Sequence, residues 1–380
     1  MKCSSGKKTL FKILTCALGA GISMMFLLFI LGGGFMKQTY LEPWNRDYAS
    51  HMADPRVRLA AAGLLAANNH NMQPWKVKLD QEDPMVFYLY ADGSRATKEV
   101  DPLYRQLMIT QGTFLEYVKV AGEKEGFHTD ITIFPEGDYE EDSILQSMDQ
   151  KPVARILLSP GNMEESPLYP EMFLADTNRG NYKKEAPDPS QISVLLNLSD
   201  ENGLSMKFYT DHDNLKKIGK YVMEGAEIEA EKNQYRFGYS LEGQGVSGLK
   251  KCMLQGIITL FPTLNEGKGA SENFIRYTKT AVTHTPSYAM ILSRDNSRTD
   301  QVRSGMLYSR LVLTGHTLDL TMQPLSQVLE EYPEMKQTYE NFNHEYASRG
   351  QTVQMLLRIG KPVKPAPYSM RRDVLSLIKE

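Results

Sequence analysis

The longest apolar stretch of the chain lies near its start. No charged residue occurs between Lys12 and Lys37, and Ile13 to Leu31 is apolar or small throughout, with Met24-Met25-Phe26-Leu27-Leu28-Phe29-Ile30-Leu31 at its heart. At helical rise such a stretch crosses a hydrocarbon core of roughly 30 Å. A secretory leader has a shorter apolar region and a small-x-small cleavage site, for which Gly32-Gly33-Gly34-Phe35 supplies only the small residues; a cleaved leader is the alternative. An uncleaved anchor over residues 1–36 is therefore expected, touching the membrane through residues 13–36. Lys2, Lys7, Lys8 and Lys12 outweigh Lys37 and Arg46 beyond it, which keeps the amino end cytoplasmic and the body outside that membrane.

Past a linker at 37–54, shorter periods take over. Residues 55–67 read as a helix, Trp75 to Leu79 and Met85 to Tyr90 as strands, and Asp101 to Glu125 as a helix with apolar positions at helical spacing and Gly126 as its stop. Thr129 to Phe134 and Val153 to Leu158 read as strands. The same grammar then returns: helix at 189–198, strand at 206–209, helix at 214–231, strand at 287–293, long helix at 300–318 and strand at 354–359. No residue-level repeat accompanies it. The pattern predicts two related α+β lobes sharing a core, at 55–170 and 171–380. Within the second, 233–272 is Gly-rich with one apolar helical run, Leu249 to Phe261, as expected of a lid.

Composition narrows the function classes. The chain has 380 residues with a formal net charge of −3, which gives no electrostatic reason to expect nucleic acid. Of three cysteines only Cys252 lies in the body, and the seven histidines show no HExxH spacing, so neither a disulfide framework nor a metal site is predicted.

Candidate chemistry gathers in three places. Asn68, Asn69, Asn71 and Gln73, with His70 among them, crowd a helix end before the Pro74-Trp75 corner. Asn suits helix ends, but this many amides exceed what a terminus needs, and they match the donor–acceptor edge of a flat heterocycle. A polar loop capping helix and strand is the plain alternative. Thr177-Asn178-Arg179 with Lys183-Lys184, and Arg371-Arg372 ahead of a last helix, are each suited to a phosphate; singly, each also fits an ordinary basic surface patch. Gly243-Gln244-Gly245-Val246-Ser247-Gly248 has dinucleotide spacing, yet no strand runs into it, so it reads as part of the lid. Glu140-Glu141-Asp142 and Glu330-Glu331 read as solvated surface.

Together these segments resemble the nitroreductase-like flavoproteins, specifically their long single-chain branch, the mycobacterial Acg-like proteins. Ala66 to Trp75 is similar to that branch's A-P-S-P-H-N-T-Q-P-W. Tyr90 to Gly112 is similar to its D-x-S-R…D-P-x-x-R…G, Asp176 to Tyr182 to its R-R-T-D-R-x-x-Y, and Gln354 to Gly360 with Tyr368 to Leu375 to its Q-x-L-L-R-x-G…S-P-R-R-x-x-x-x-V. The resemblance implies an α+β nitroreductase-like fold, two fused lobes forming a monomeric pseudo-dimer, with FMN between them. It further implies that the second lobe grips the phosphate through Thr177, Asn178, Arg179, Arg371 and Arg372, while Asn68, Asn69, Asn71 and Gln73 serve the ring and ribityl chain. FMN would carry electrons from NAD(P)H to a nitro, quinone or related small acceptor, with no catalytic residue nominated.

The sequence departs from the pattern at Asn68 for Ser, Ala175 and Asp176 for the paired arginines, Met370 for Pro and Asp319 for Gly. Lost phosphate contacts weaken the grip by roughly 1.5–3 kcal/mol each. Two other readings follow from this: a flavin-storage protein with little turnover, and a flavin-free interaction module.

Overall fold

The computed structural model describes all residues except 1–2, 163–165, 200–202, 233–239, 266, 349 and 380, so parts of the expected lid lie outside the described residues. It is an α+β structure. An N-terminal helix, α1 (Cys3–Leu31), leads into a body holding two four-stranded sheets.

Both sheets have one topology. The first contains β1 (Trp75–Leu79), β2 (Val86–Ala91), β3 (Phe127–Ile133) and β4 (Ala154–Pro160) in spatial order β1-β2-β4-β3. The second contains β5 (Ser205–Tyr209), β6 (Ser287–Ser293), β7 (Thr321–Pro324) and β8 (Thr352–Gly360) in order β5-β6-β8-β7. All neighbouring strands in both pair antiparallel. The apolar runs of β6 and β8 fit strands covered on both faces, whereas the edge strand β3 alternates between buried and exposed positions. A short helix precedes each set, α2 (Pro55–Gly63) and α5 (Pro189–Leu196). A long one follows the second strand, α3 (Arg105–Glu125) and α9 (Arg298–Thr317), and a shorter one precedes the fourth, α4 (Ile144–Gln150) and α10 (Lys336–Tyr346).

The lobes join through α3 and α9. Gly112 is the eighth residue of α3 and Gly305 the eighth of α9, and the backbones touch there. A Cβ on Gly112 would sit 1.8 Å from the Val302 carbonyl oxygen, and one on Gly305 1.8 Å from that of Ile109. The helices also exchange side chains. Val302 and Leu313 of α9 lie in the first lobe's core, and Ile109 of α3 lies in the second's. Arg105 opens α3 and donates to the carbonyls of Gln354 and Leu329, pairing with Glu331; Arg298 opens α9 and donates to the Leu103 carbonyl, pairing with Glu141. Each long helix thus begins with a guanidinium anchored in the other lobe.

One difference separates the halves. Six residues, 80–85, link β1 to β2, whereas residues 210–286 link β5 to β6 and contain α6 (His212–Glu229), α7 (Gly248–Leu260) and α8 (Gly267–Thr283). The carboxy-terminal arm also crosses over. Lys379 N–H donates to the Val77 carbonyl at the edge of the first sheet, and Trp44 Nε1 donates to the Ser369 carbonyl. Arg371 and Arg372 therefore lie on the first lobe, where the sequence reading had put them on the second. Among the described residues only a short 3₁₀ turn, Val374–Leu377, follows them, where the sequence predicted a helix N-terminus.

Candidate functional site

The amide loop is built on α3. Trp75 is fully buried and its Nε1 donates to the Thr110 carbonyl at 3.0 Å. Asn69 N–H donates to Thr110 Oγ1 at 2.9 Å, and Thr113 Oγ1 donates to the Ala67 carbonyl at 2.7 Å. Between these anchors the backbone is forced left-handed at His70 (φ 49°), Asn71 (φ 52°) and Gln73 (φ 51°). Asn tolerates that region, but His and Gln are strained there. Asn68 Oδ1 accepts from Gln73 N–H at 2.8 Å and closes the loop.

Two cavities meet at this loop, between the lobes. The larger, about 780 Å³ including its mouth, is lined by Asn68, Asn69, His70 and Thr110 from one side and by Thr177, Arg179, Glu229, Glu330 and Gln354 from the other. The smaller, about 550 Å³ on the same measure, is lined by Asn68, Asn71, Thr177, Arg179, Gly243 and Arg371. Ala67, Asn68, Thr177 and Arg179 border both.

The expected site residues divide over this geometry. Asn68, Asn69, Asn71, Thr177, Arg179 and Arg371 line one or both cavities. Gln73, Asn178 and Arg372 line neither. Gln73 Oε1 accepts from Arg372 N–H at 2.7 Å, and Arg372 Nη1 donates to the carbonyls of Gln73 and Trp75, so this pair ties the carboxy-terminal arm to the loop. Asn178 Nδ2 donates to the Lys364 carbonyl at 2.8 Å and its Oδ1 accepts from Gly180 N–H.

Arg371 is buried, stacks over Trp44 at 4.6 Å, and donates to Asn71 Oδ1 and the Leu65 carbonyl. Burial pulls its pKa down to about 10, opposed by the Asp176 carboxylate, and it stays charged at neutral pH. Its Nε is buried with no hydrogen-bond partner among the described residues. Arg179 Nη1 donates to the Gly243 carbonyl at 2.6 Å. An anion in the smaller cavity would have Thr177 and the guanidinium groups of Arg179 and Arg371 about it, which fits a phosphate. Asp176, a departure from the resemblance, accepts from Ala67 N–H at 2.7 Å and from the Tyr117 hydroxyl. Burial lifts it to about 6, and its negative charge beside Arg371 opposes an anionic ligand.

The larger cavity holds groups that the sequence reading passed over. Glu330, read as surface, is buried, and Glu331 is mostly buried against Arg105. Burial raises Glu330 well above the carboxyl range, helped by Glu229, which burial itself raises to about 8. One oxygen of each has no hydrogen-bond partner among the described residues. The ligating atoms of His70, Glu229 and Glu330 lie within 4.8 Å of one another. Such a set can hold protons next to a reacting ligand or close on a divalent cation of the manganese, iron or zinc kind. Glu229 ends α6, inside the long insertion, and no local pattern ties it to residues 100 or more positions away. Arg105 belongs to the Asp101-Pro102-Leu103-Tyr104-Arg105 stretch, and its burial depends on the other lobe.

No family model matches the chain, and no curated protein matches it. Among solved structures, iodotyrosine deiodinase bound to FMN and 3-iodo-L-tyrosine aligns at 15% identity, over 54% of this chain and 95% of that one, with a TM-score of 0.35. A putative nitroreductase from Anabaena variabilis aligns at 12% identity, over 73% and 69%, with a TM-score of 0.41. The FMN-dependent nitroreductase NfnB from Mycobacterium smegmatis, in complex with NADPH, aligns at 13% identity, over 53% and 90%, with a TM-score of 0.34. Overlap at this level is loose, and it assigns nothing to this chain.

Proposed function

We propose that this chain is a membrane-anchored flavoprotein of the long, single-chain nitroreductase-like kind, holding one FMN between its lobes and reducing a small acceptor. The carrying observation is the pair of adjoining cavities, one bordered by Arg179 and Arg371, the other by the strained amide loop and two buried carboxyls. Bound FMN would supply hydride and single-electron chemistry, drawing on NAD(P)H. The chain's own residues would seat and orient it. Thr177 and the guanidinium groups of Arg179 and Arg371 would hold the anionic end, while Asn68 and Asn69 face the flat end. Glu229, raised to about 8 by burial, and Glu330, raised beside it, would donate protons to an acceptor in the larger cavity. The shared topology of the two sheets supports the pseudo-dimer, and α1, whose segment Thr9–Leu31 is long and apolar enough to cross a bilayer, supports the anchor. We place the amino end in the cytoplasm and the body outside that membrane on the lysine asymmetry alone.

A storage role is the second reading, favoured by the Arg179 contact to Gly243, which ties the inserted segment to the border of the smaller cavity. Full-length protein in detergent separates the readings. A yellow preparation bleached by NADPH supports the reductase, and yellow without bleaching supports storage. A colourless protein that takes up no added FMN would overturn both. Arg179→Ala removes one charge-assisted contact and is expected to weaken FMN binding by about tenfold to a hundredfold at unchanged fold; unchanged affinity, read by flavin fluorescence, would remove Arg179 from the phosphate site.

A further inference from the structure

α1 does not stand apart from the body. Its last turns lie against α7 with the backbones in contact. A Cβ on Gly32 would sit 1.8 Å from the Cys252 carbonyl oxygen, and one on Gly256 2.1 Å from that of Leu28. Small residues four apart, here Cys252 and Gly256, are what lets two helices approach this closely. The pairing also gives direction. Gly32 meets Cys252 and Leu28 meets Gly256, so α7 runs antiparallel to α1, back along the apolar segment. At about 1.5 Å per residue, Leu260 and Phe261 reach roughly 6–8 Å beyond Gly256 on that course.

The side chains carried there are apolar and uncovered. Leu260 is 40% exposed, Phe261 57% and Leu264 60%, and Phe35 and Met36, which follow α1, are more exposed still. After the tip the chain turns at Pro262–Asn265 and continues as α8, which packs on α6. The other end of α7 is tied to the cavities. Lys251 pairs with Glu242 at 3.3 Å and donates to Tyr40 Oη at 3.2 Å, and the neighbouring Gly243 carbonyl accepts from Arg179.

We propose that α7 and the turn after it form a lid seated in the lipid bilayer, its tip around Phe261 and Leu264 dipping beside α1 while its base closes the smaller ligand cavity. Its partner is the bilayer itself. The site thereby opens next to the membrane, which suits an acceptor dissolved in lipid. This inference rests on the reading of α1 as a membrane span.

Full-length Phe261→Trp and Leu264→Trp variants, reconstituted into phosphatidylcholine vesicles with acyl chains brominated at defined depths, test it. The two native tryptophans, Trp44 and Trp75, are both buried and give the background. The expected result is that the variants float with the vesicles and that either new indole loses at least half of its emission to the bromines, with little change in the parent. Flotation with new indoles that stay unquenched and emit as in water would overturn the lid while leaving the span in place. Failure to float would overturn the span, and the lid with it.

Discussion

Asp319 occupies a position built for glycine. α9 closes with Asp319 N–H donating to the His316 carbonyl and Leu320 N–H to that of Gly315, a Schellman ending whose left-handed residue is Asp319 at φ 57°. The equivalent helix α3 stops at Gly126 with φ 81°. Left-handed strain outweighs the extra unfolded-state freedom of glycine, so Asp319→Gly should stabilise the protein by about 1 kcal/mol, read as a rise in urea midpoint at unchanged slope. The sequence marked Asp319 as a departure from a resemblance, and the backbone now supplies its physical meaning. Asp176 shows the reverse. Its identity announced a lost cation, but only the fold brings the Tyr117 hydroxyl and the Ala67 N–H to it.

At the scale of elements, the crossing of α3 and α9 admits no side chain. Gly112→Ala or Gly305→Ala would push a methyl into a carbonyl oxygen and force the helices apart. A loss of about 3 kcal/mol or more in chemical denaturation is expected. Gly269→Ala in α8, where nothing lies within 4 Å, should cost nothing. A mild effect at both crossing positions would mean that the lobes meet differently. The long elements were legible because burial on a repeating face writes a period: β1 and β6 have the boundaries that the pattern predicts, and α3 and α9 differ only at their ends. β7 has four residues, too few for a period. α8 and α10 were missed because few of their positions are buried and their sequences read as polar. The amide loop was legible as chemistry, since its composition exceeds any capping need. Arg372 and Gln73 have the right residue types yet face each other, and no local pattern distinguishes a donor that binds a ligand from one that ties down an arm.

Across the whole molecule, buried carboxyls set the response to pH. Asp101 and Asp176 lie at about 6 and Glu229 at about 8, each raised by burial above its unfolded value. The folded state therefore binds protons first as pH falls, and stability rises until the unfolded chain titrates as well. His316, held down to about 4 by desolvation, works the other way below about 6.5. At about 1.4 kcal/mol per pH unit per group the carboxyls prevail between pH 7.5 and 5. The urea midpoint should be higher at pH 5, by a few kcal/mol in stability, and Glu229→Gln should flatten the rise. A midpoint that falls over that interval would contradict the burial of these groups.

The insertion that separates β5 from β6 has no counterpart between β1 and β2, and this removes a constraint that exact two-fold symmetry would impose. Thr110 and Thr113 on α3 correspond by position to Arg303 and Met306 on α9, which line a separate cleft with Leu198, Leu204 and Leu307. In two identical subunits, any change at one cleft is made at both. Encoded once in a single chain, one cleft is free to be roofed, filled or retuned while its twin keeps the halves together, so selection can act on ligand and scaffold separately.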